Sequence, residues 1–202
     1  MNFLYIDIWL RWLHALAAII WLGHLYFLDF VCRPLRRSDQ QSQSNSTIIV
    51  LMSRVLWWLR WGAMVSFLTG VLLFLSYYLH ATGVGFGPTP LLIGAEGVTD
   101  RAIWILFGMA LATVMWFNIW FVIWPAERQL LRGASGPTGD PRFLMRRSFR
   151  AVRTNTLLSG PTLFAMLAPS HYGTIGLRLW LLVVICGSLV MWGCARVSRS
   201  IS

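Results

Sequence analysis

The chain has 202 residues, 57% of them hydrophobic and only 12% charged, where a soluble domain carries about 25% charged residues. All 17 of its basic residues are arginine, against seven acidic residues, and a net charge of +10 with a mean hydropathy of +0.64 excludes an ordinary soluble globule. Because the arginines border apolar runs of membrane length, they argue for orientation and contact with anionic lipid headgroups, and against nucleic acid as a partner.

Residues 8–31 form the first predicted span, long enough at about 1.5 Å per residue to cross roughly 30 Å of hydrocarbon. The opening MNFLYIDIWLRWLH lacks the basic start of a signal peptide and carries Asp7 and Arg11, so it reads as a retained span. The span leaves the bilayer at Cys32-Arg33-Pro34. Asp29 and Arg33, four residues apart, are expected to form an interfacial ion pair.

After a polar loop, the second span covers residues 61–80, with an interfacial extension over 47–60. There Arg54 and Arg60 lie among Trp57, Trp58 and Trp61, at headgroup level. The segment GVGFGPTPLLIGAEGVTD is too rich in Gly and Pro for one helix. It reads as an ordered loop with a short helical turn at LLIG.

The third span, residues 102–124, is expected to stop at Pro125. A basic connector follows, and a new helix starts from Pro141, a residue well tolerated in a first helical turn. The fourth span, 149–168, is the least apolar. Asn155, Ser159 and Thr162 line one helix face and Pro161 is expected to kink it, which places this helix inside the bundle. The fifth span is 177–195.

Threaded alternately, 12 arginines fall on loops and tail of one side, two (Arg54, Arg60) at the interface of that side, and three (Arg11, Arg101, Arg178) at the opposite ends. This positive-inside pattern puts the N-terminus outside and the C-terminus in the cytoplasm. The fold class is an all-α integral membrane protein. It forms one domain over residues 1–202, a bundle of about five transmembrane helices, in the cell inner membrane.

The outer side holds three of the four histidines. Neutral imidazole ligates haem iron, copper and zinc, and histidines on facing helices of a bundle hold b-type haem. His14, His80 and His171 are therefore candidate ligands of a haem b, with copper as the alternative. His80 and His171 stand at span ends, where histidine also serves simply to meet water. His14 sits inside an apolar run and needs a partner.

His24 is ten residues on, about 15 Å deeper and turned by roughly 80°, so it cannot share a metal atom with His14. A second haem, or a bond to Asn118 or a carbonyl, are its alternatives; the bond is the simpler. Asn118 and Asn155 are expected to make an interhelical amide contact. Cys32, Cys186 and Cys194 form no C-x-x-C-H, so no c-type haem is encoded, and they are expected to be free thiols. The sequence carries no phosphate-binding loop, catalytic triad, paired-carboxylate site or zinc motif, and leaves open whether the chain is itself an enzyme.

Three stretches carry a family resemblance. RWLHALAAIIWLGHLYFLDF resembles the first span of the urate hydroxylase (urate oxidase N-terminal) membrane-domain family. MWFNIWFVIWPAERQL is similar to its W-F-N-x-W-x-x-I-W-P signature, and RTNTLLSGPTLFAMLAPSHY resembles its R-T-N-T-L-L-S-x-P-x-x-F-x-M segment. His14, Trp116, Asn118, Pro125, Asn155, Ser159, Pro161 and His171 fall on its motif positions.

The resemblance implies, for fuller members, a longer membrane domain followed by a c-type cytochrome domain that takes electrons from urate oxidation. This chain is expected to be a short form lacking that domain. The expected function is a small integral membrane subunit of a larger redox or energy-converting complex. It would be held to other membrane subunits, with a haem b or metal at the outer histidines. The alternative is a urate-hydroxylase-like oxidoreductase passing electrons to a separate cytochrome c. A transporter or channel ranks third, because there is no inverted repeat and no charge pair near the midplane.

Overall fold

The computed structural model describes residues 3–34, 46–81, 85–133, 140–171 and 177–200. Five helical rods dominate them. Helix α1 (Phe3–Tyr26) runs on into a π-helical segment, π1 (Phe27–Cys32), and α2 is Ser46–Tyr78. The third rod is α3 (Asp100–Asn118), a second π segment π2 (Ile119–Ile123) and α4 (Trp124–Leu131); the last two are α5 (Pro141–His171) and α6 (Leu177–Ser200).

Four stretches are long and apolar enough to cross a membrane: Ile6–Cys32, Ile48–Tyr78, Asp100–Leu131 and Arg178–Ser198. The predicted fourth span is a helix but is not among them. Helix α5 begins with a run of arginines and continues into a polar face, and it spends that face inside the bundle. It packs on α3, α4, α6 and the first rod, and Ser148, Asn155, Thr156 and Ser159 on it are fully buried.

Small residues let the rods approach. A Cβ on Gly62 of α2 would meet Ile20 Cγ2 at 3.0 Å and the Trp21 backbone nitrogen at 3.1 Å, so α1 and α2 pack backbone to backbone there. A Cβ on Gly160 of α5 would lie 2.7 Å from the Gly187 carbonyl oxygen of α6. In an apolar solvent such close van der Waals contact replaces the hydrophobic drive between helices. The main core, with Leu25, Leu56, Leu59, Met115, Ile119 and Ile123 at its centre, joins the first three rods and takes in Ala151 and Val152 of α5. A smaller cluster of Trp104, Ala165 and Ala168 joins α3 to α5.

Two local expectations are corrected. Pro125 does not end the third rod; α4 continues through it to Leu131. Proline lacks a donor, and the preceding π turn, where hydrogen bonds already skip a residue, absorbs the gap. LLIG is not a free helical turn. Leu92 and Ile93 amides both bond the Thr89 carbonyl, and Ile93–Gly94 then pairs with Gly97–Val98 as a two-residue hairpin, β3–β4. A similar hairpin, β1 (His80–Ala81) with β2 (Gly85–Phe86), precedes it. Gly85 (φ 98°) and Gly97 (φ 112°) supply the left-handed backbone these turns require.

Asp29 and Arg33 form the expected ion pair, at 2.9 Å. Asp29 is 1% exposed and also holds Arg153 of α5 at 3.2 Å. The three cysteines are free thiols.

Candidate functional site

At the hairpin end of the bundle, a partly open cavity of about 180 Å³ lies between α1, α2, α3 and α5. Its walls are apolar, from Leu73, Phe74, Ile105, Met109 and Met166, and Leu91 of the connector roofs it. The roof is tied to α2. The Thr89 hydroxyl donates to the Tyr77 carbonyl at 2.9 Å and the Thr89 amide to that of Tyr78 at 3.0 Å, satisfying carbonyls left open at the helix end. Thr99, whose hydroxyl caps α3 by accepting from the Ala102 amide, also donates to the Leu91 carbonyl.

The polar groups lining this cavity include Arg11, His14, Tyr77 and Arg101. His14 Nδ1 lies 2.9 Å from the Ser66 carbonyl oxygen and 3.1 Å from Thr69 Oγ1. A carbonyl only accepts, and the Thr69 hydroxyl gives its own proton to the Val65 carbonyl at 2.7 Å. Nδ1 of the neutral ring therefore carries the hydrogen, and Nε2 keeps its lone pair. Gly70 makes room for the ring, since a Cβ there would stand 3.0 Å from His14 Cε1.

Arg11 Nε donates to Asp7 at 3.1 Å and to the Tyr77 hydroxyl at 3.2 Å, and its guanidinium lies 4.4 Å from the centroid of the Tyr77 ring. The Tyr77 oxygen accepts there, and its own O–H turns to the Asp7 carboxylate. Arg101 has no hydrogen bond or ion pair among the described residues.

The other predicted residues sit elsewhere. His24 Nδ1 bonds the Ile20 carbonyl of its own helix at 2.7 Å, one of the alternatives open to it. His80 is in β1, its ring edge-on to Phe86 at 5.7 Å. His171 ends α5, and its side chain lies outside the described residues. Among the described residues, no group of three or more His, Cys, Asp or Glu side chains comes together as a metal site. As a donor for haem iron, His14 fits, with Nδ1–H anchored and Nε2 available. The volume does not fit: about 180 Å³ is well under the roughly 300 Å³ at which pockets begin to enclose drug-sized ligands, and a porphyrin is larger still.

Toward the arginine-rich end, α5 carries a buried line of polar contacts. Ser148 donates to Glu127 of α4 at 2.6 Å, and Arg153 meets Asp29. Asn118 Nδ2 donates to Asn155 Oδ1 at 2.8 Å, while Asn155 Nδ2 donates to the Met115 carbonyl at 2.9 Å. Tyr26 donates to Ser159 Oγ at 2.9 Å, because Ser159 gives its hydrogen to the Thr156 carbonyl. Trp116 stacks on Phe67 of α2 at 5.0 Å, and Pro161 is buried within an unbroken α5. Arg60 lies 4.0 Å from the ring centre of Trp124 and 5.0 Å from that of Trp120. The motif residues Trp116, Asn118, Asn155, Ser159 and Pro161 thus serve the seam between rods.

Sequence reasoning missed Arg11, Tyr77 and Arg101 as cavity groups. The available signal was the three-residue spacing of Arg11 and His14, which puts both on one face of α1.

In comparisons with known proteins, the profile of the family described as urate oxidase N-terminal matches residues 92–198. No curated protein and no solved structure matches the chain. The matched stretch contains the second hairpin, α3 to α5 and most of α6; α1 and α2, which carry His14 and Tyr77, lie before it.

Proposed function

Because the chain belongs to the urate oxidase N-terminal family, matched over more than half its length, we propose that it is a small integral membrane subunit of a redox-active complex. The observation that carries this reading is the outer surface of the rods. Large apolar side chains such as Ile6, Trp9, Ile19, Leu182 and Val190 are more than half exposed along helices long enough to cross a bilayer. A surface of that kind needs lipid or neighbouring membrane helices around it. The arginine asymmetry supports an outside N-terminus and a cytoplasmic C-terminus, with anionic lipid at the inner arginines and residence in the inner membrane.

Within this reading, the role is to bind partner subunits and hold them in register. The cofactor expectation narrows to His14: its residues fit a single imidazole ligand and not an enclosed haem. A haem b there would take its second ligand from a partner or from residues beyond the cavity. Copper would likewise need donors from outside it. Either group would supply one-electron chemistry; the chain itself supplies a fixed imidazole tautomer in an apolar wall.

The test is mild solubilisation, with co-purifying subunits identified and optical spectra recorded air-oxidised and dithionite-reduced. Partner subunits in stoichiometric amount are expected, and b-type bands that vanish in His14→Ala would support a haem completed by a partner. A lone chain with a featureless spectrum and no bound metal would end both the subunit and the cofactor readings.

Family membership also favours a second reading, a urate-hydroxylase-like oxidoreductase that delivers electrons to a separate cytochrome c. It requires urate-dependent reduction of added cytochrome c by membranes holding this protein. No reduction with a competent cytochrome present rejects it.

A further inference from the structure

We infer that the cavity between α1, α2, α3 and α5 binds the headgroup of a membrane quinone or quinol. This rests on the membrane setting proposed above and takes the His14 Nε2 lone pair for the ligand in place of haem iron or copper. The argument starts from what the lining offers. His14 presents a lone pair on Nε2, because Nδ1–H is committed to the Ser66 carbonyl. Tyr77 is already occupied, its oxygen accepting from Arg11 and its O–H turned to the Asp7 carboxylate. Arg101 presents guanidinium donors that no described residue takes up.

Gly70, against the His14 ring, and Tyr77 are seven residues apart on α2, about 10 Å along the helix axis. The His14 ring thus lies at one end of the cavity and the Asp7–Arg11–Tyr77 cluster at the other, with Leu73 and Phe74 between them. The complement is a small flat body with a hydroxyl for Nε2 and a second oxygen that accepts. A quinol hydroxyl can donate to Nε2 while its other oxygen accepts from Arg101.

Size and charge favour this ligand over an anion. A volume of about 180 Å³ suits one substituted ring and leaves an isoprenoid or alkyl tail to the lipid. Asp7 at 3.1 Å balances Arg11, so the mouth carries little uncompensated charge beyond Arg101. Apolar residues make up most of the wall, which suits a neutral ring.

The experiment uses the full chain in phosphatidylcholine nanodiscs, with decylubiquinone as probe, comparing uptake with that of empty discs. Saturable uptake of about one quinone per chain is expected, displaced by decylubiquinol. Arg101→Met removes the donors and should weaken binding by up to about tenfold, the worth of one hydrogen bond. Gly70→Leu, whose side chain would occupy the place of the His14 ring, should abolish it. Gly23→Ala, with open space around its Cβ, should leave it unchanged.

Helical circular dichroism separates a folding defect from a binding defect, and Arg101→Met carries the test if Gly70→Leu does not fold. No saturable uptake, or uptake indifferent to both variants, overturns the inference. Displacement by laurate instead of the quinol also overturns it, in favour of an anionic amphiphile held by the arginines. A chain that does not enter nanodiscs at all speaks against the membrane reading instead.

Discussion

Asp29 holds two arginines in a place with almost no water. Replacing it by Asn would remove the carboxylate charge that Arg33 and Arg153, both largely buried, share. Breaking a buried pair from one side typically costs about 3–5 kcal/mol, so Asp29→Asn should lower the thermal midpoint of the purified protein sharply. The double change Asp29→Asn, Arg153→Met should recover part of that loss. Asn155→Leu removes the acceptor for Asn118 and the donor for the Met115 carbonyl; unfolding should become easier by about 1–3 kcal/mol. The need of these residues for partners was legible in the sequence: His14 and Asn155 sit in apolar runs, where a polar group must be satisfied. The identity of some partners was not. The Ser66 and Met115 carbonyls are backbone groups and leave no mark on residue type, and Arg153 is over a hundred residues from Asp29.

Helices were the most legible elements, because apolar runs of this length admit little else. The local signals that misled were those of proline and of short apolar turns. Pro125 ordinarily terminates a helix, but the π turn before it had already displaced the hydrogen-bond ladder. LLIG has the composition of a helical turn, yet Gly94 and Gly97 allow a tight reversal that composition alone does not distinguish. At the crossing of α5 and α6, Gly160→Ala would drive a methyl to 2.7 Å from the Gly187 carbonyl oxygen, where only backbone movement can relieve it. Overpacking of this kind costs about 1–3 kcal/mol. The variant should therefore loosen α6, seen as faster labelling of a cysteine placed on its buried face. Gly23→Ala, which meets nothing, should show no such change.

On the scale of the molecule, the orientation proposed above rests on the charge distribution and predicts the behaviour of fusions. A reporter on the C-terminus that is active only in the cytoplasm should be active, and one that needs export should be silent; the reverse would invert the topology. That asymmetry was legible because arginine placement is a statistical property of loops and needs no contact map. The cavity was not legible, since it is a gap that four separate segments leave between them, and no one segment records it. The two π turns act at this scale too. Each holds one residue more than an α turn uses, which advances the rest of its rod by roughly 100° about the axis. The halves of the first and third rods are thus clocked independently. The azimuth of Arg33 and of Glu127 toward α5 depends on a single surplus residue in Phe27–Cys32 and in Ile119–Ile123 respectively. Deleting one residue in either segment would leave an unbroken α-helix of nearly the same length whose lower end faces the wrong neighbour.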